Sequence, residues 1–140
     1  MKETTIRPRY AETDQMGVIY HGNYFTYFEV ARSDYFRQVG YTYKYLESLG
    51  VIMPVLECGC KFMKPVLYDE SITIRTKCFW NEKIKIKLEY EVLDEAGTLL
   101  AKGFTKHTFV NRELKPLRLK ELDPKFIALL KETSEVSLCD

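Results

Sequence analysis

The chain has 140 residues, enough for one domain with a real core, and 46% hydrophobic with 29% charged residues is the make-up of a folded globular protein. A formal net charge of +1 leaves no whole-protein field to draw in nucleic acid or an anionic membrane, so neither is expected as a partner. Ten Tyr and eight Phe against one Trp suit a core that also lines a cleft or a subunit interface.

The opening MKETTIRPRY carries no secretory h-region, and no apolar run reaches membrane-spanning length. Cys58, Cys60, Cys78 and Cys139 therefore read as free thiols of a reduced, cytoplasmic protein. Cys58-x-Cys60 lacks a second ligand pair, and His21 and His107 are distant in sequence, so no metal site is expected.

The elements follow in order. Glu3–Arg9 reads as a strand ending near Pro8, and Asp14 to Gly17 as a loop. Gly22 and Asn23 punctuate the start of a helix, with Asn23 or a neighbour as N-cap. Helical spacing puts Tyr24, Phe28, Ala31, Tyr35 and Val39 on one face and Glu29, Ser33 and Arg37 on the opposite one. Phe25, Val30 and Phe36 widen the apolar band, so other structure must wrap this helix. Gly40 ends it. A short helix over Thr42–Leu49 stops at Gly50.

The period then changes to two. VIMPVLECGCKFMKP reads as an irregular strand with bends or bulges at Pro54 and Gly59. Ile72, Ile74, Thr76, Cys78 and Trp80 share one face of the next strand. Ile84, Ile86, Leu88, Tyr90 and Val92 alternate with charges in the one after, the mark of an antiparallel sheet with one wet face. Turns at Asn81-Glu82 and Asp94–Gly97 lead on to a last long strand, Thr98–Val110, and a terminal helix, Asp123–Glu132. Four strands joined by hairpins, wrapped round one long helix, make an α+β layout spanning residues 1–140 as a single domain.

The stretch ETDQMGVIYHGNY, Glu12 to Tyr24, sets a carboxylate and a His at the doorway of that helix. Asp14 beside Gly17 could be only a turn residue, and a single His is more often structural than catalytic. Yet the N–H groups of His21, Gly22 and Asn23 fall at a helix start, where orphan donors and the helix dipole favour negative charge. Such donors can hold a carbonyl oxygen as it becomes an oxyanion. Gly22 would let a substrate approach the backbone, and Asp14 could reach the carbonyl's other side. These pieces fit acyl transfer.

The run Arg9 to Gly40 resembles the signature of hotdog-fold thioesterases of the 4-hydroxybenzoyl-CoA thioesterase type, and is similar in look to the Tol-Pal-associated acyl-CoA thioesterases. The matching residues are Glu12-Thr13-Asp14, Gly17-Val18-Ile19, Tyr20-His21, Asn23-Tyr24 and Ala31-Arg32, continuing through Lys64-Pro65 and Tyr68-Asp69. The resemblance implies a central helix in a wrapping sheet, paired as a homodimer or a dimer of dimers. It implies hydrolysis of acyl-CoA to free acid and CoA, with Asp14 as catalytic carboxylate and His21 or its neighbour as oxyanion donor.

Thioester chemistry needs little more, because a thiolate leaves easily. Asp14 can act as general base on water or attack the carbonyl as nucleophile, and no cofactor is needed. Tyr20, Tyr24 and Tyr27 are the expected acyl-pocket walls. Lys61, Lys64, Arg75 and Lys106 are the leading candidates for the CoA phosphates, with Lys77 and Arg112 behind them. Two other functions suit the same fold: a dehydratase using His21 and Glu29, or a non-catalytic acyl-CoA binding module.

Overall fold

The computed structural model describes residues 1–81, 85–118 and 121–135. Ile84, the Glu82 side of the expected turn and Cys139 lie outside the described residues. In chain order the elements are β1 (Lys2–Ile6), α1 (Asn23–Gln38), α2 (Tyr43–Ser48), β2 (Val55–Phe62), β3 (Ile72–Asn81), β4 (Lys85–Leu93), β5 (Leu99–Thr108) and α3 (Pro124–Thr133). A 3-10 turn at Tyr10–Glu12 links β1 to the loop before α1.

The five strands form one antiparallel sheet in the order β1-β3-β4-β5-β2. The expected alternation holds along β3 and β4, with Ile72, Ile74, Thr76, Cys78 and Trp80, then Ile86, Leu88, Tyr90 and Val92, all turned inward and buried. One expected connection fails. β2 does not hairpin onto β3; it crosses to the far edge and pairs with β5. Alternation marks which face is wet but carries no information about which strands are neighbours.

Three local expectations also change. β1 stops at Ile6, short of the expected Arg9, because the Arg9 N–H turns to the Glu12 carboxylate (2.7 Å) and Pro8 offers no N–H to a ladder. Gly59 is not a bend: it stays in register opposite Phe104, whose ring occupies the place of a side chain, 2.8 Å from where a Cβ would stand. The irregularity lies instead between Val55 and Glu57. Asn23 opens α1 without capping it; its side-chain amide donates to the Glu12 carbonyl (2.9 Å).

Helix α1 fills the sheet's concave side, with Phe28 and Ala31 fully buried. The Phe28 ring stacks on Tyr90 (4.5 Å between centroids, planes 6° apart) and lies over Gly103, where any Cβ would overlap it. The helix ends as the sequence demands. Gly40 takes φ +98°, the Tyr41 N–H reaches the Phe36 carbonyl (2.8 Å), and the Gly40 N–H reaches Arg37 (3.2 Å), a Schellman closure. Helix α2 is capped by the Thr42 hydroxyl accepting from the Tyr45 N–H (3.1 Å). Asp123 caps α3 in the same way, and Phe126 and Leu130 seat that helix on the core against Phe36 and Phe109.

Helix α1 packs most closely on β1 and β3. On the other side, Cys58 and Phe62 of β2 turn inward yet stay exposed, leaving an opening beside the start of α1. No described helix is long and apolar enough to cross a membrane.

Candidate active site

The segment before α1 folds into a compact knot. Thr13 bridges Ile19, the Asp14 N–H reaches the Val18 carbonyl (2.8 Å), and Gly17 closes the turn onto Asp14 at φ +80°. The Tyr20 N–H and the Asn23 side chain both converge on the Glu12 carbonyl (2.9 Å each). Glu12 thus sits between the Asp14 turn and the helix start, and ties one to the other. Its carboxylate takes the Tyr27 hydroxyl (3.0 Å), and burial together with that acid pushes the Tyr27 phenol above its ordinary range. Tyr27 therefore stays protonated and donates to Glu12.

Asp14 is a turn residue as well as a candidate catalyst. Its Oδ1 accepts from the Met16 N–H (2.8 Å) and, at 3.4 Å, from Val18. Its Oδ2 has no hydrogen-bond partner among the described residues. A carboxylate with one oxygen anchored and the other open is oriented and still available.

Helix α1 starts without a side-chain cap, at Gly22. The Asn23 and Tyr24 N–H groups close back onto the Tyr20 (3.0 Å) and His21 (3.2 Å) carbonyls. The N–H groups of His21 and Gly22 have no acceptor among the described residues. Two open donors at a helix start form an anion-favouring corner. The expectation for Gly22 needs correction, however. The space beside its Cα is filled by the chain's own Tyr20 ring, 2.7 Å from where a Cβ would stand.

Aromatic rings surround this corner. The His21 ring lies 4.4 Å from Tyr20 and 6.3 Å from Phe62, and Phe62 meets the buried Tyr24 edge-on at 4.8 Å. Of the expected acyl walls, Tyr20 is half exposed, while Tyr24 and Tyr27 are buried. Phe62, on the edge strand, escaped the sequence reading because nothing in its own strand marks it as facing a helix start.

The four leading phosphate candidates do not converge. Lys61 and Lys64 lie near the end of β2, whereas Arg75 is three strands away and bound to Glu3 (3.2 Å). Lys106 lies further along β5, bridged to Glu57 (3.5 Å). Glu29 is exposed on α1, and no hydrogen bond among the described residues joins it to His21.

The described cysteines are free, and burial pushes Cys60 up to about 11 and Cys78 up to about 12, leaving neither as a thiolate nucleophile at neutral pH. No group of His, Cys, Asp and Glu able to hold a metal occurs among the described residues.

A second polar feature went unforeseen. Arg32, with 9% exposure, is buried on the inner side of α1 with no carboxylate partner among the described residues. It donates to the Tyr43 hydroxyl and, at 3.3 Å, to Tyr90. Tyr90 and the Thr105 hydroxyl are 2.7 Å apart, Thr105 and His107 Nε2 2.8 Å, and His107 Nδ1 and the Met53 carbonyl 3.3 Å. Arginine can only donate and a carbonyl only accept, so the arrangement in which every hydroxyl proton finds an acceptor runs from Arg32 to the Met53 carbonyl. In that arrangement His107 is neutral with its proton on Nδ1. Burial, with Arg32 near, holds its pKa down at about 4. Arg32 follows Phe28 by four residues and so shares its side of the helix, but its charge kept it out of the apolar stripe read from the sequence.

The match to known proteins covers most of the chain: the thioesterase-like superfamily description fits residues 8–130. The chain belongs to that superfamily. A Bacillus subtilis relative named "Putative acyl-CoA thioesterase YneP" is 34% identical over 120 residues, covering 85% of this chain and 87% of its own. A solved DHNA-CoA thioesterase from Staphylococcus aureus is 37% identical with TM-score 0.88, covering 93% of this chain and 88% of that one. A solved hypothetical protein from Thermus thermophilus is 34% identical with TM-score 0.88, covering 95% of this chain and 99% of its own. The thioesterase-like fold of these neighbours is the hotdog, one long helix in a wrapping antiparallel sheet, as the sequence resemblance implied.

Proposed function

We propose that this protein is an acyl-CoA thioester hydrolase working at the start of α1. The observation that carries the reading is the pairing of open groups there: the His21 and Gly22 N–H donors, and the free Oδ2 of an anchored Asp14. The relatives named as acyl-CoA thioesterases support the same chemistry.

The thioester carbonyl oxygen is received by the helix-start donors, which hold it more strongly as it gains charge; one such donor is worth roughly 3–4 kcal/mol at a preorganised site. Asp14 then acts in one of two ways. As base, it takes a proton from water while the water oxygen bonds to the carbonyl carbon and the C–S bond breaks. As nucleophile, Oδ2 bonds to that carbon, the thiolate departs, and water opens the mixed anhydride to free acid and carboxylate. CoA leaves as a thiolate in either route, so no strong acid is needed at sulfur. Release of free thiol from acyl-CoA by the purified protein tests the proposal, and no release above the uncatalysed rate would end it.

The acyl group enters among Tyr20, Tyr24 and Phe62, with Tyr27 behind. The buried cation, Arg32, is tied to Tyr43 and Tyr90. A free carboxylate on the acyl group would therefore lose its water without gaining a partner, at a cost of several kcal/mol. Neutral aliphatic and aromatic acyl-CoA esters are the expected substrates, with succinyl-CoA poor by kcat/KM.

Residues 1–140 act as one unit in the cytoplasm, as a homodimer or a dimer of dimers. Among the described residues β2 is paired on one side only, and Val55, Leu56, Phe62 and Met63 at that edge are exposed. A second copy laid along β2 covers part of this edge and walls the opening beside α1 into a cleft at the subunit boundary. An active monomer in sedimentation at micromolar concentration would exclude this assembly.

A further inference from the structure

The outer face of the sheet is ionic, and its strand register mostly sets opposite charges across from each other. Arg75 faces Glu91 and Lys77 faces Glu89 between β3 and β4, and Glu57 faces Lys106 between β2 and β5. Several of these side chains are also ion-paired: Arg75 with Glu3 (3.2 Å), Lys87 with Glu89 (3.2 Å) and Lys106 with Glu57 (3.5 Å). The pattern breaks in two places: between β4 and β5, where Lys87 faces Lys106 but both are ion-paired, and near the end of β2. Lys61 stands directly across from Lys102 of β5.

Side chains directly opposed in an antiparallel pair have Cβ atoms roughly 5 Å apart, and like charges there are destabilising. Neither lysine has a carboxylate within 4.0 Å among the described residues. Glu91, the neighbour of Lys102 on β4, also faces Arg75. Lys64 joins the same corner. The Met63 and Lys64 N–H groups both donate to the Leu100 carbonyl (2.9 and 3.0 Å), which folds the chain back two residues from Lys102. All three lysines are exposed. The next residue after Lys61 is Phe62, whose ring turns the other way, onto Tyr24 and towards His21.

We propose that Lys61 and Lys102, supported by Lys64, receive the phosphates at the nucleotide end of CoA. This rests on the acyl-CoA reading and adds Lys102, while leaving out Arg75 and Lys106. A bridging phosphate turns a repulsive cross-strand pair into an attractive one, and flexible ammonium groups converge readily on one anion. The geometry also gives the substrate a direction. The nucleotide stays in water on the outer corner, the pantetheine arm passes the end of β2, and the thioester reaches the inner side at Phe62 and His21. The competing account is that Lys61, on the edge strand, meets an acid of a second copy.

The test uses the full-length protein and the K61Q/K102Q double variant. Adenosine 3′,5′-bisphosphate, which carries no thioester, should bind the wild type in calorimetry and bind the variant about tenfold more weakly or worse. Acyl-CoA hydrolysis should lose about tenfold or more in kcat/KM through KM, with kcat kept. Hydrolysis of the corresponding acyl-pantetheine, which has no phosphates, should be unchanged. An unchanged KM for acyl-CoA, or an equal loss with acyl-pantetheine, overturns the assignment. So does a variant that turns monomeric in sedimentation while keeping its affinity for the bisphosphate. A wild type that prefers an acyl carrier protein to acyl-CoA, with that preference lost in the variant, gives the corner to a protein's acidic surface instead. Failure of the underlying reading looks different: the bisphosphate binds, yet neither thioester is hydrolysed.

Discussion

The two ends of one polar story lie on the same helix. At the start of α1, His21, Gly22 and Asp14 hold polar atoms open, whereas in its middle Arg32 binds two tyrosine hydroxyls and the chain through Tyr90, Thr105 and His107 closes on the Met53 carbonyl. Both regions contain a charged group near an aromatic cluster. What separates them is satisfaction. A buried polar group with all its partners fixes a core, while an exposed group with one partner missing is ready for a ligand.

The sharpest break in this contrast is Asp14→Asn. It keeps the Oδ1 acceptor of the turn and removes the base or nucleophile, so kcat should fall at least about a hundredfold, within the range for acid–base catalysis. Thermal stability should move little. Near wild-type turnover in that variant would reduce Asp14 to a turn residue.

Acid should strain the middle of the helix first. His107 is held at about 4 in the fold against 6.5 when unfolded. Between those values the unfolded chain binds a proton that the folded chain refuses, so stability is full above about 6.5 and is lost as pH falls towards 4. The loss is of order 3 kcal/mol. Denaturant titrations across that window measure it; a flat profile would mean that His107 takes its proton inside the fold.

A smaller effect sharpens the comparison. Arg32→Met keeps much of the side-chain volume but strips the Tyr43 and Tyr90 hydroxyls of their charged donor. Stability should drop by about 2 kcal/mol, in line with losing buried hydrogen bonds to a charged group, and kcat should hardly change. With the cation gone, the acid sensitivity of His107 should also lessen. A large fall in kcat at unchanged stability would move Arg32 into the chemistry.

The same two regions mark how far the sequence could be read. The start of α1 was legible because its signals are local: a Gly that permits a left-handed turn, an Asp that bonds its own backbone, and an abrupt change to helical spacing. The alternation along β3 and β4 was legible for the same reason, as was Gly40 at the helix end. The Arg32 chain was not, because its members come from positions 32, 43, 90, 105 and 107 and only the fold brings them together. The place of β2 beside β5 was hidden likewise, and with it both Phe62 at the mouth and the Lys61–Lys102 pair.

The glycines of β2 and β5 carry a consequence for how this sequence can drift in descent. Gly59 and Gly103 lie on neighbouring strands, one beneath the Phe104 ring on the outer face and one beneath the Phe28 ring on the inner face. A methyl at position 103 demands a smaller residue at 28, whose ring also stacks on Tyr90. A methyl at position 59 demands that Phe104 swing aside, and that ring rests near the Lys87 and Lys106 ammonium groups. Each glycine is thus bound in inheritance to one aromatic partner. Lineages that change one member should carry a matching change in the other, 28 with 103 and 59 with 104.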